Sequence, residues 1–301
     1  MRVLITGVTG LVGKEITRLC HEKGIAVNYL TTSKSKLQSD NNYKGFYWNP
    51  KAGEIDKSCF EGVDTIINLV GASISKRWTD TYKKEILESR TLTARLLKKT
   101  IDENSLAVKQ IVSASAIGIY PSSLVNYYEE DFNTVSDTFL GEVVEQWEAA
   151  VDDFKSSGLD VCKIRIGLVL SEKGGALPEI VRPIKFGAGA AFGSGEQWQS
   201  WIHINDLAQL FLYAVNQSLI GVYNAVAPNP VNNTELTKAS ARVLSRPLIL
   251  PNIPKFAMKF ALGEMHILLF ESQRVSSLKI EQEGFEFKFP NLEPTLQDLL
   301  S

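Results

Sequence analysis

Residues 1–13 read MRVLITGVTGLVG, and the fold is decided in this stretch. Val3, Leu4 and Ile5 form a short apolar run of the kind buried in a parallel sheet, and Gly7, Gly10 and Gly13 follow at three-residue spacing into a helical pattern. Strand, glycine turn and helix in that order can hold a dinucleotide. Gly7 permits the tight turn, Gly10 lets a pyrophosphate approach the backbone, and Gly13 lets the helix lie close on the strand. The free N–H groups and positive end of that helix then face the phosphates. Gly7, Thr9, Gly10, Leu11, Val12 and Gly13 are therefore the expected phosphate cradle. The spacing is Gly-x-x-Gly-x-x-Gly, not the commoner Gly-x-Gly-x-x-Gly, so a purely structural turn is the rival reading.

Working outward, Val12, Ile16 and Leu19 make the stripe of a helix lying on a sheet, and Gly24 stops it. Residues 25–30 read as a second strand. A site for unphosphorylated NAD would place an Asp or Glu near its end to bond the ribose 2′-hydroxyl. This chain has Thr31, Thr32, Ser33 and Lys34 there. Hydroxyls with a cation suit a 2′-phosphate, so Thr32, Ser33 and Lys34 point to NADP, with NAD and a plain solvated loop as alternatives. Residues 44–48 and 64–70 read as strands three and four, a long helix runs from 79 to about 103, and strand five covers 110–113. A helix at 137–155, a strand at 159–165, a helix at 205–217 and a strand at 222–226 follow. Strands alternating with helices at this spacing predict an α/β, Rossmann-type doubly wound parallel sheet.

From residue 228 onward the alternation stops. Seven prolines lie between Pro228 and Pro294, and short apolar segments suggest a smaller C-terminal lobe that binds substrate. The expected division is residues 1–165 plus about 203–227 for the nucleotide-binding domain, and about 166–202 plus 228–301 for the lobe. Gly187-Ala188-Gly189 and Gly193-Ser194-Gly195 flank a loop leading into Trp198 and Trp201, which are either ligand-covering or core anchors.

The chain has 301 residues, 44% hydrophobic and 22% charged, with 32 basic against 34 acidic residues. Such a balance, without a long run of either sign, speaks against a nucleic-acid or membrane partner; the expected partner is a small-molecule substrate. Cys20, Cys59 and Cys162 form no Cys-x-x-Cys pair, which fits buried thiols in a reducing, cytoplasmic setting. Three scattered histidines argue against a metal site.

The opening Thr6-Gly7-x-x-Gly10-x-x-Gly13, the Asn68-Leu69-Val70-Gly71 turn, the stretch from Ser113 to Tyr120 and Trp201-Ile202-His203-Ile204-Asn205-Asp206-Leu207 resemble an extended short-chain dehydrogenase/reductase. More narrowly, Arg77-Trp78, Ser89-Arg90, Trp147-Glu148, Arg165-Ile166-Gly167, Gln197-Trp198, Arg246-Pro247 and Ser272-Gln273-Arg274-Val275 resemble the epimerase-like branch described as NAD(P)-dependent nucleoside-diphosphate-sugar epimerases. That resemblance implies an NADP-type nucleotide, also touched by Leu69 and Gly71, and a sugar-nucleotide-like substrate. It also implies a monomer or homodimer.

The superfamily's chemistry uses a Tyr and a Lys four residues later on one helical face, where the cation lowers the phenol's pKa. The matching positions here are Phe139 and Val143, neither of which moves a proton. Substitutes are Ser115, Tyr120 and Ser113 as catalytic candidates, with strand-end or half-buried structural roles as the alternative. Arg77, Trp78, Trp198 and His203 are the substrate-side candidates; for His203 the alternative is a helix-entry hydrogen-bond network with Asp206. An oxidoreductase or epimerase-like enzyme is the expected function, and a non-catalytic nucleotide sensor or scaffold on the same fold is the alternative.

Overall fold

A computed structural model describes residues 1–300. Its core is a sheet whose parallel strands are β1 (Arg2–Thr6), β2 (Ala26–Thr31), β3 (Tyr43–Asn49), β4 (Thr65–Asn68), β5 (Gln110–Ala116), β6 (Asp160–Ile166) and β7 (Gly221–Ala225). They lie in the order β7-β6-β5-β4-β1-β2-β3, with two short antiparallel strands added at the β3 edge. This is the doubly wound parallel sheet that the alternating pattern predicts. Val3, Leu4 and Ile5 are fully buried, as a strand covered on both faces requires.

The principal helices are α1 (Leu11–Glu22), α2 (Asp80–Asn104), α3 (Phe139–Asp152), α4 (Ala176–Lys185) and α5 (Ile204–Asn216). α1 packs beside α5, and α2 beside α3. The two-residue period of β5 separates the layers. Gln110 reaches the carbonyls of Ala214 and Leu219 at the end of α5, whereas Ser115, an odd number of residues on, points to Glu148 of α3. α2 and α3 start at Thr79 and Thr138, whose side chains accept from the N–H groups of Tyr82 and Gly141. α1 has no such cap, since Gly10 offers no side chain. Beyond the sheet, a second apolar cluster gathers Leu170, Leu177, Trp201, Leu236 and Leu296.

One sequence expectation shifts. Strand five continues through Ala116, because Ser113 to Ala116 stay in parallel register with Lys163 to Ile166 of β6. Ser115 is thus a strand residue and not part of the following loop. Cys20, Cys59 and Cys162 are buried free thiols, with burial pushing Cys20 and Cys162 up to about 12. No helix among the described residues is long and apolar enough to cross a membrane.

Candidate functional site

The site sits at the carboxyl ends of β1, β4 and β5, beside the point where the strand order reverses between β1 and β4. Gly7 adopts φ +77°, a conformation costly for any side chain, and a Cβ there would press on the Leu69 carbonyl at 3.2 Å. At Gly13 a Cβ would come within 2.3 Å of the Gly7 oxygen. That contact is why the helix can lie directly on the turn only with glycine at this position. The turn itself is closed by Gly10 N–H donating to Gly7 O at 3.0 Å. Gly10 is exposed, and the first N–H groups of α1 carry no cap, so the positive end of the helix opens onto the crevice. A pyrophosphate fits this cradle. Thr9 is exposed and Leu11 and Val12 half-buried on its rim.

At the end of β2, Thr32 and Lys34 are exposed, the Ser33 hydroxyl meets that of Ser35 at 2.9 Å, and the Lys34 ammonium lies 5.1 Å from the centre of the Tyr47 ring. The three side chains share one strand end, on the same side of the sheet edge as the glycine turn.

A buried hydrogen-bond chain ties the strand ends together. Thr6 donates to Asn68 at 2.8 Å, Asn68 donates to Ser113 at 3.0 Å, and Thr6 accepts from the N–H of Leu69 at 3.0 Å. Ser113 is fully buried and donates to the Ala114 carbonyl. Its hydroxyl fixes β4 against β5.

Ser115 and Tyr120 belong to a second network beneath the sheet. Ser115 donates to Glu148 at 2.6 Å, and Arg165 grips the same carboxylate with Nε at 2.8 Å and Nη2 at 3.0 Å. Lys163 adds a third cation-side contact at 3.3 Å. Burial pushes the Glu148 carboxyl up, but Arg165 and Lys163 outweigh it and hold it below the usual range. Tyr120 donates to Asn224 at 2.8 Å and accepts from Arg165 at 2.9 Å. Burial drives its phenol up to about 12 against the pull of Arg165, so it stays protonated at neutral pH. Both side chains are engaged within the protein.

Among the substrate-side candidates, Arg77 is exposed, while Trp78 is buried with its indole N–H donating to the Ile74 carbonyl at 2.9 Å. Trp78, Ile86, Leu140 and Val143 form an apolar cluster, and Phe139 stands edge-on to Trp78 at 5.2 Å. Met265, Ile267 and Leu268 pack against this cluster from the C-terminal part of the chain. Trp198 is half-buried, donates to the Leu124 carbonyl and stacks on the Arg274 guanidinium at 4.5 Å. Trp201, three residues on, is a buried anchor. His203 is buried away from these residues: Nδ1 accepts from the Asn205 N–H at 3.0 Å, Nε2 faces Asp298 at 3.2 Å, and the ring stacks on Phe289. Burial lowers its pKa, so it caps α5 as a neutral ring.

Two residues outside the candidate site set stand out, although Arg90 belongs to the Ser89-Arg90 segment noted above. Arg90 is a cation on the inward stripe Ile86, Arg90, Ala94, Leu97, Ile101 of α2, and that misplaced charge was the available signal. Glu271 is a carboxyl near Thr138 and Asp137 with one buried oxygen that finds no hydrogen-bond partner among the described residues. Burial pushes it up to about 7. No local pattern marks it. Groups of residues able to hold a metal ion are absent among the described residues.

Comparison with known proteins agrees with this geometry. The NAD dependent epimerase/dehydratase family pattern matches residues 3–225, and a domain of unknown function (DUF1731) matches residues 253–299. The epimerase family protein SAR0825 of Staphylococcus aureus (strain MRSA252) is 36% identical over 99% of this chain and 98% of its own. The crystal structure of human epimerase family protein SDR39U1 (isoform2) with NADPH superimposes with a TM-score of 0.83 at 28% identity, covering 99% of each chain. The nucleoside-diphosphate sugar epimerase from Corynebacterium glutamicum gives a TM-score of 0.79 at 29% identity, over 100% of this chain and 58% of that one. With a glycine turn, an uncapped helix and a switch-point crevice on one sheet, and with relatives alike along nearly the whole length, the chain belongs to the NAD dependent epimerase/dehydratase family.

Proposed function

We propose that this protein binds NADP(H) and acts as an oxidoreductase or epimerase-like enzyme on a sugar-nucleotide-like carbonyl or alcohol, without a Tyr-x-x-x-Lys pair. The observation that carries the reading is the uncapped start of α1 over Gly7, Gly10 and Gly13, an open set of N–H donors shaped for a pyrophosphate. Thr32, Ser33 and Lys34 would meet the 2′-phosphate, and Leu69 and Gly71 would line the crevice beyond the glycine turn. The NADPH held by the human relative and the sugar-nucleotide name of the Corynebacterium relative support cofactor and substrate class respectively. When bound, the nicotinamide supplies hydride exchange.

In this reading the chain's own residues bind and orient. Ser113, Ser115 and Tyr120 hold the ends of β4, β5 and β6 in place through Asn68, Glu148 and Arg165. Phe139 and Val143 make the start of α3 an apolar wall beside Trp78. Arg77 and Trp198 stand at the rim on the substrate side, while His203 acts only by capping α5.

That wall favours a second reading, in which the protein binds the nucleotide and turns nothing over. Titration of the purified protein with NADPH and NADH, followed by nicotinamide fluorescence, tests the shared part. Micromolar affinity with a preference for NADPH is expected, and failure to bind either refutes the cofactor. A slow change in cofactor absorbance with a panel of carbonyls separates enzyme from sensor.

A further inference from the structure

The Arg90 guanidinium is largely buried and meets no carboxylate among the described residues. It comes from the middle of α2 and stacks on the Trp147 ring of α3 at 5.0 Å. Nη1 donates to the carbonyls of Ile86 at 2.8 Å and Ala72 at 3.3 Å and lies 3.5 Å from the Ser89 hydroxyl; Nη2 donates to Ala72 at 3.3 Å. Every acceptor the group meets among the described residues is a neutral oxygen. Burial lowers its pKa to about 10, against a smaller opposing pull from Tyr82. A buried cation of this kind is costly unless something anionic meets it.

Its position says where that partner lies. A Cβ on Gly71 would come within 2.8 Å of the Arg90 Cζ, so the guanidinium sits directly behind the loop that follows β4. That loop is also the one Gly7 abuts, through the Leu69 carbonyl at 3.2 Å. Trp147, under the guanidinium, is one helical turn beyond Val143 on the same face of α3. A positive charge is thus supplied from α2 to a region where the neighbouring α3 side chains Phe139, Leu140, Val143 and Trp147 are uncharged.

We propose that Arg90 is the cation of the dinucleotide crevice and binds an anionic phosphate oxygen on the nicotinamide side of the cofactor. The inference rests on the NADP(H) reading of the glycine turn. Arg suits the place because its flat guanidinium stacks on indole and still presents donors edge-on to phosphate. Gly71 leaves room for the guanidinium there, since a Cβ at that position would come within 2.8 Å of Cζ and displace it.

The test is equilibrium binding of NADPH and of adenosine 2′,5′-bisphosphate, which lacks the nicotinamide half, to the wild type, Arg90→Gln and Arg90→Lys. Arg90→Gln should weaken NADPH by about 10- to 100-fold, the scale of one charge-assisted hydrogen bond, and leave the bisphosphate within about twofold. Arg90→Lys keeps the charge and should lose less; it also serves if the Gln variant does not fold. Equal affinity of wild type and Arg90→Gln for NADPH overturns the inference alone. An equal fall for both ligands, or equal loss in the Gln and Lys variants, overturns it in favour of a packing role. A wild type that binds neither ligand overturns this inference and the cofactor reading together.

Discussion

Replacing Glu271 by Gln removes an acidic group whose ionisation burial delays to about pH 7. One carboxyl oxygen is buried without a hydrogen-bond partner, Asp137 lies near enough to oppose ionisation, and only the Thr138 hydroxyl favours it. Burial is the largest cause, and it raises the group from 4.5 to about 7. Because the folded pKa is the higher one, the folded chain holds a proton that the unfolded chain has released between pH 4.5 and 7. Stability from this group is complete below pH 4.5 and is lost as pH rises through 7. At about 1.4 kcal/mol per pH unit the displacement is worth about 3 kcal/mol, an upper figure because partial hydration would reduce it. Gln cannot ionise. Urea unfolding of both proteins at pH 5, 6, 7 and 8, followed by circular dichroism, should therefore show the wild type losing up to about 2.5 kcal/mol more than Glu271→Gln over that range, since part of the displacement lies below pH 5. Parallel curves would show that Glu271 ionises in the folded protein as it does in water, and the burial argument would fail.

Other perturbations probe the remaining supports of the site. Arg165→Met strips Glu148 of its two-pronged partner and leaves Lys163 as its only cation beside the Ser115 hydroxyl, so a loss of about 3 kcal/mol is expected; adding Glu148→Gln should recover part of it, and strict additivity in denaturation would refute the coupling. Gly13→Ala places a methyl 2.3 Å from the Gly7 oxygen, which outweighs the about 1 kcal/mol that alanine gains in a helix; a net loss of about 1–3 kcal/mol together with weaker NADPH binding is expected, and an undiminished melting temperature would contradict it.

Much of the fold was legible because it is written in local patterns. The Val3-Leu4-Ile5 run, the three glycines and the stripe Ile16, Leu19 depend on neighbours within a few residues, and each is buried or turned as its pattern requires. The stripe Val143, Trp147, Ala150, Phe154 is likewise core. Strand five was read too short because Ser115 looks like a loop residue; its hydroxyl is accommodated by Glu148, which is distant in sequence.

The sequence by itself determined the strand–glycine–helix unit and the alternation that forces a parallel sheet, since a backbone turn and a hydrophobic period need no distant partner. It also determined that Phe139 and Val143 are side chains with no proton to give or take. The tertiary structure alone decided what the polar side chains face. Tyr120 meets Arg165 across 45 residues and Asn224 across 104, and Ser115 meets Glu148 across 33. Arg90 comes to rest behind Gly71 and on Trp147 only when α2, α3 and the loop after β4 pack together. Burial and charge pairing are set by contacts between separated segments, so the chemistry of those residues becomes visible only once the chain is folded.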